Sequence, residues 1–176
     1  IMEHNMVQAN GVIGFFPAKS TGDSVELATG KNENTLLHFL RNEEEKEPGI
    51  PNLSLADFIA PAETGISDYI GLFAVTAGKG IEKWVKQYEE QNDDYNAIMV
   101  KILADRLAEA FAELLHHRVR KEYWGYAKDE DLTIDEIIHE GYVGIRPAPG
   151  YPACPEHSEK ETIFSLLEAN KAGITL

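Results

Sequence analysis

The sequence predicts an α+β fold in which a largely antiparallel sheet is flanked by helices, one of them long. Three observations lead to this prediction. Short β-forming segments separated by turn residues fill the first half of the chain. A pattern of helical period runs from about residue 94 to 123, and two capping patterns near the end begin short helices. The chain of 176 residues can bury the core of one domain, so we expect residues 1–176 to form one domain.

The strands are predicted from residue type and alternation. The dense apolar run at residues 11–17 is typical of a buried strand, and the alternating segment Ser24–Ala28 is expected to pair with it as a hairpin. Periodicity leaves residues 35–40 open between a third strand and the start of a helix. β-Branched and aromatic residues then indicate two central strands, at residues 53–60 and 69–76.

The helices are predicted in the second half. A short helix over Ile81–Glu90 is followed by Asp93, which can cap a helix from residue 94 to about 123. At 1.5 Å per residue this helix would be about 45 Å long. Its apolar residues keep a spacing of three or four throughout, as a core-facing helix requires. Capping boxes predict two further helices, near residues 134–140 and 159–170.

Composition restricts the function. The net charge is −14, from 16 basic and 30 acidic residues, so the chain repels phosphate and we expect neither nucleic-acid binding nor docking on anionic membranes. A single cysteine, Cys154, excludes an internal disulfide and a cysteine-based zinc cage. The sequence has neither an apolar span nor a signal-peptide core, and we therefore expect a cytoplasmic protein.

The most unusual segment is residues 144–155, which contains four of the eight prolines. Proline fixes its own φ and restricts the residue before it, so the segment is predicted to be a rigid loop. Arg146 offers a planar fork for a carboxylate, Gly150 allows close backbone approach, and Tyr151 can stack on a ring. This set suits a small zwitterion with an aromatic base. The alternative is a proline-rich tether in which Arg146 makes a structural ion pair.

Acidic residues give weaker candidates. Asp105, Glu109 and Glu113 fall at i, i+4 and i+8 on the long helix and so share one stripe. The stripe could face a cationic ligand or a docking partner, or it could be a solvated surface with local ion pairs. Glu140 lies six residues before Arg146. We keep Glu109 and Glu140 as candidate ligand contacts.

Histidine and cysteine give little support for catalysis. His116 and His117 are adjacent, so on a helix they point about 100° apart and cannot share one metal ion. His157 near Cys154 suggests a thiol–imidazole pair, but no third group is evident to orient the base, and a structural or surface role is favoured. We therefore predict no catalytic residue and no metal site, and a hydrolase is the least supported class.

Several segments of the sequence belong to one recognisable set. The most specific is RPAPGYPACPEH at residues 146–157, with its Arg-x-x-x-Gly-Tyr pattern. The others are 14–18, 55–61, 68–76, 93–96, 98–101 and 104–113. Together these segments resemble one known family, the activation domain of cobalamin-dependent methionine synthase, and the likeness covers nearly the whole chain, apart from residues 29–50 and 78–92.

The resemblance implies a C-shaped domain on a twisted antiparallel sheet that binds S-adenosyl-L-methionine. Arg146 would pair with the methionyl carboxylate, while Ala148, Gly150 and Tyr151 would line the pocket. Cobalamin would be bound by a partner domain, and an electron would come from flavodoxin or a flavoprotein reductase. The chain would be part of the methyltransferase methionine synthase, positioning the methyl donor for reductive methylation of cob(II)alamin, and would not be catalytic alone.

Three expectations qualify this picture. The chain begins at Ile1 and stops after a helix end, so we expect its natural N- and C-terminal ends to be missing. Arg118, Arg120 and Lys121 are the predicted basic patch for an acidic electron donor. The alternative function is a stand-alone interaction scaffold with the same fold that does not bind S-adenosylmethionine.

Overall fold

The computed structural model describes residues 7–30 and 34–176, so the predicted truncation at Ile1 lies outside the described residues. The strands are β1 Gln8–Thr21, β2 Ser24–Ala28, β3 Asn34–His38 and β4 Asp68–Lys79. The helices are α1 Ile81–Glu90, α2 Asp94–Arg118, α3 Ile134–Ile138 and α4 Glu159–Leu166. The strands form one sheet in the order β3-β2-β1-β4, which confirms the predicted α+β class. No helix in the described part of the chain is both long enough and apolar enough to span a bilayer.

The predicted hairpin is confirmed. β1 and β2 are antiparallel, with Thr21 opposite Ser24, and Gly22 takes a positive φ of 59° in the turn between them. The segment that periodicity left open is a strand, because β3 pairs antiparallel with β2 and places Leu37 opposite Val25. Both of these side chains are fully buried. Burial of alternate residues therefore fixes the register of this sheet.

The prediction of two central strands is wrong in two respects. Residues 53–60 contain a short 3₁₀ helix, Leu55–Phe58, because Ser54 and Asp57 form a capping box. Ser54 is fully buried, and its hydroxyl also donates to the carbonyl of Phe39 (2.7 Å). Residues 69–76 do lie within a strand, β4, but β4 is at the edge of the sheet.

The chain is arranged in two compact units. Among the described residues, the first comprises 7–12, 74–145 and 170–174, and the second comprises 13–30, 34–73, 146–169 and 175–176. In the first unit α1 packs on α2, where Trp84 and Tyr88 cover a small core of Val85, Ala97 and Val100. The proposal that residues 1–176 form one domain stays a prediction.

The long helix is confirmed, with a change of winding at its end. The side chain of Asp93 accepts a hydrogen bond from the backbone of Asn96 (3.1 Å) and caps α2. After Arg118 the chain makes one π-helical turn, Val119–Tyr123, in which the Trp124 N–H donates to the carbonyl of Val119 (2.9 Å). The predicted boundary near residue 123 is thus the end of the π-helical turn.

Only some of the apolar residues of α2 are buried, although the sequence predicts that the whole apolar pattern faces the core. Small residues such as Ala97 and Ala104 are buried, whereas larger ones on other faces are exposed. The large exposed apolar residues of α2 are Tyr95, Ile98, Ile102, Leu103, Leu107 and Leu114. The helix carries apolar side chains around most of its circumference, so spacing alone did not identify the buried face.

The two predicted capping boxes have different outcomes. At α3, Thr133 accepts a hydrogen bond from the backbone of Glu136, and the Glu136 carboxylate accepts one from the backbone of Thr133 (2.8 Å). At α4, the Ser158 side chain makes no capping hydrogen bond, because Ser158 itself has helical backbone angles. Both helices are shorter than predicted.

Candidate functional site

The proline-rich loop of the second unit is folded by its own backbone hydrogen bonds. The Tyr151 N–H donates to the carbonyl of Ala148 (3.0 Å), and the Cys154 N–H donates to the carbonyl of Tyr151 (2.8 Å). The Gly150 N–H in turn donates to the carbonyl of Cys154 (2.8 Å). Two consecutive turns therefore hold residues 148–154. These hydrogen bonds agree with the rigid loop that the proline content predicts.

The loop is tied to the 3₁₀ helix that begins after Ser54. The backbone N–H of Leu55 donates to the carbonyl of Ala153 (2.9 Å), and the Cys154 side chain beside it is buried. Ser54 and Asp57, which the sequence analysis did not select, therefore support the loop through this helix. A Ser-x-x-Asp capping pattern was the signal that could have identified them.

Gly150 is required by conformation and by space. Its φ is +103°, a value that residues with a Cβ rarely adopt. A Cβ at this position would lie 2.9 Å from both Cε1 and Nε2 of the His157 ring. The imidazole therefore lies directly against the backbone of Gly150. The local sequence around either residue does not predict this contact.

The predicted ligand-binding side chains of the loop are accessible to different degrees. Tyr151 is 62% exposed and Ala148 is exposed, whereas Arg146 is half-buried. A rigid loop that presents an exposed aromatic ring and a half-buried guanidinium can hold a small ligand with an anionic end and a flat end.

The two acidic candidates belong to the other unit. Glu109 is exposed and forms an ion pair with Arg106 (2.6 Å), which is the local pairing that the solvated-surface alternative expects. Glu140 is exposed and has a positive φ of 57° at the end of α3. Asp105 is exposed, and Glu113 is half-buried.

The predicted basic patch is wrong at Arg120, which has no exposed surface. Its guanidinium donates two hydrogen bonds to Glu130 (2.9 and 2.7 Å) and lies 4.2 Å from the Tyr142 ring centroid. Nη1 of Arg120 is also 2.8 Å from Nδ1 of His116. The π-helical turn places Arg120 inside the first unit, whereas Arg118 is exposed and pairs with Glu122 (2.9 Å).

Glu130 completes this buried network. The hydrogen bonds from Arg120 hold the pKa of the Glu130 carboxyl below its usual range. His117, whose Nδ1 lies 3.3 Å from Oε1 of Glu130, lowers this pKa as well. Lys121 donates to the backbone carbonyl of Glu130. A charged pair so fully enclosed is a structural element of this unit, and it is not available as a docking surface.

Cys154 has the properties of an unreactive thiol. Burial raises its pKa, and the nearby carboxylates of Glu159 and Glu156 raise it further. His157, the proposed imidazole partner, lies against Gly150. The thiol–imidazole hypothesis therefore has no support from the geometry.

Alkylation of Cys154 tests this interpretation. At neutral pH, we expect an alkylating reagent to react about tenfold more slowly with the folded chain than with the chain unfolded in urea, because only the exposed thiolate reacts. The measurement is the fraction of alkylated chain with time, read from the mass of the intact protein. Equal rates in the two states would mean that Cys154 is accessible in the folded chain and would contradict this interpretation.

A comparison with protein families identifies the chain. The family model described as "Vitamin B12 dependent methionine synthase, activation domain" matches residues 1–176. The chain belongs to this family. The family resemblance indicated by the Arg-x-x-x-Gly-Tyr pattern is thereby confirmed.

A solved structure of an activation domain is also similar. It is titled "Crystal Structure of the MetH Reactivation Domain bound to AdoHcy", is 52% identical in sequence, and superposes with a TM-score of 0.90. The match covers 99% of this chain and 55% of that one, so this chain spans about half the length of its relative. The likeness in fold extends over nearly all of the present chain.

Proposed function

We propose that this activation domain binds S-adenosyl-L-methionine at the loop of residues 146–151. The observation that carries the proposal is the pair of turns that holds residues 148–154, with Gly150 at positive φ, directly after Arg146. The relative bound to AdoHcy, at 52% identity, supports the same class of ligand.

Each predicted binding residue has a chemical role in this proposal. The Arg146 guanidinium pairs with the carboxylate of the amino-acid moiety, because its planar fork matches two carboxylate oxygens. The Tyr151 ring stacks on the adenine, and Ala148 and Gly150 provide backbone groups and close approach. The role of Glu109 and Glu140 as ligand contacts stays a prediction.

The reaction proposed for the parent enzyme is reductive methylation of cob(II)alamin on a partner domain of methionine synthase. The cobalamin supplies the nucleophile, and flavodoxin or a flavoprotein reductase supplies the electron. The residues of this chain bind the methyl donor and orient it, and none acts as an acid, a base or a covalent nucleophile. The proposed location is cytoplasmic.

Isothermal titration calorimetry tests the proposal. S-adenosylmethionine and AdoHcy are titrated into this chain and into a chain extended to the full length of the structural relative. Binding by either chain, with one site per molecule, supports the proposal. Absence of heat with both chains would overturn it and would favour the interaction scaffold.

A further inference from the structure

His157 lies outside the Arg-x-x-x-Gly-Tyr pattern. After the second turn of the loop the chain returns, and the edge of the imidazole lies where a side chain of residue 150 would be. The ring therefore fills the space on that side of Gly150. Because glycine has access to a wider range of φ than any other residue, a neighbour that fills this space limits the conformations of the turn.

The backbone of His157 is held by hydrogen bonds just before α4 begins. The Glu156 carboxylate accepts hydrogen bonds from the backbone of His157 (2.7 Å) and of Ser158 (3.1 Å). The Lys160 N–H donates to the carbonyl of His157 (3.2 Å). The backbone on both sides of His157 is thus held, although its side chain is exposed.

The start of α4 is in turn attached to the sheet. Glu159 is buried, and one of its carboxylate oxygens accepts a hydrogen bond from the backbone N–H of His38 in β3 (2.9 Å). The chain is therefore attached to β3 at Glu159, two residues after His157, whose ring lies against Gly150. All of these residues belong to the second compact unit.

We propose that His157 is a positioning residue for the S-adenosylmethionine site: its ring holds Gly150, and with it the peptide and side chain of Tyr151, in the binding conformation. This inference rests on the function proposed above and adds a residue to the same site. Without the ring, only the backbone hydrogen bonds of the two turns hold Gly150 near φ +103°, and part of the binding free energy is needed to order the turn.

The test compares three variants of the chain. His157→Ala removes the ring, His157→Phe retains a flat ring at the same position, and His139→Ala is the matched control. His139 is also exposed, but its ring lies 2.8 Å from the carbonyl of Asp135 on α3, in the other unit. The readouts are the dissociation constant for AdoHcy, the thermal midpoint, and hydrogen exchange of the Gly150 and Tyr151 amides without ligand.

We expect His157→Ala to weaken AdoHcy binding about tenfold and to leave the thermal midpoint within about 2 °C, because the side chain is exposed. His157→Phe should recover most of the affinity, and His139→Ala should not change it. The Gly150 and Tyr151 amides, which donate to Cys154 and Ala148, should exchange faster in His157→Ala than in wild type.

The outcomes separate the two proposals. An unchanged dissociation constant for His157→Ala overturns the positioning role, as does an equal loss in His157→Phe. If wild type does not bind AdoHcy at all, the proposed function is what fails. In that case, faster exchange at Gly150 and Tyr151 in His157→Ala alone still supports the positioning of the turn, and unchanged exchange overturns it.

Discussion

Replacing Arg120 with alanine is expected to lower the free energy of unfolding by about 3–5 kcal/mol, because it leaves the Glu130 carboxylate buried without its main partner. Arg120 has no exposed surface and Glu130 has only 7% of its side chain exposed, so water cannot replace the lost hydrogen bonds. The substitution also removes the cation over the Tyr142 ring. The measurement is urea unfolding followed by far-ultraviolet circular dichroism.

Arg118→Ala is the matched control for this prediction. It removes the same kind of side chain two residues earlier, from an exposed pair with Glu122, and should cost no more than about 1 kcal/mol. A similar, small loss in both variants would show that the Arg120 pair is hydrated in solution. If Arg120→Ala does not fold, the milder Glu130→Gln allows the same comparison.

The second large effect is on ligand binding. Arg146→Ala is expected to weaken S-adenosylmethionine binding by at least about a hundredfold, because the ligand carboxylate loses a charged, two-point partner. The affinity of Arg146→Lys should lie between those of Arg146→Ala and wild type, because an ammonium retains the charge without the planar fork. The measurement is calorimetry on whichever of the two chains binds the ligand.

Arg118→Ala controls for the loss of one positive charge from an already acidic chain and should leave this affinity unchanged. Circular dichroism spectra that match wild type confirm that Arg146→Ala is folded. Binding within threefold of wild type, in a folded Arg146→Ala variant, would contradict the assignment of the carboxylate to this residue.

Local patterns were sufficient for much of the fold. The hairpin was predictable because the turn residues and the alternation over Ser24–Ala28 agree on one register. The long helix was predictable because its cap at Asp93 and its period agree. The prediction of a strand at residues 53–60 failed because the capping box at Ser54 determines the local structure, whereas the prediction relied on residue type alone.

The site was predictable only in part. Proline content identified the rigid loop, and the Arg-x-x-x-Gly-Tyr pattern identified its family. The contact between Gly150 and His157 depends on how the chain returns at α4, which no local pattern encodes. The burial of Arg120 was missed because basic residues in a last helical turn are usually solvated and interact with the helix dipole.

The π-helical turn at Val119–Tyr123 has a consequence for the evolution of this family. Such a turn holds one residue more than an α-helical turn, so a relative that has lost one residue here would keep an unbroken helix. The residues after the turn would keep their direction, because a π-helical turn takes up one extra residue, whereas Arg120 within the turn would lose its position opposite Glu130. Single-residue gaps at this point in aligned sequences should therefore coincide with replacement of the acid that corresponds to Glu130.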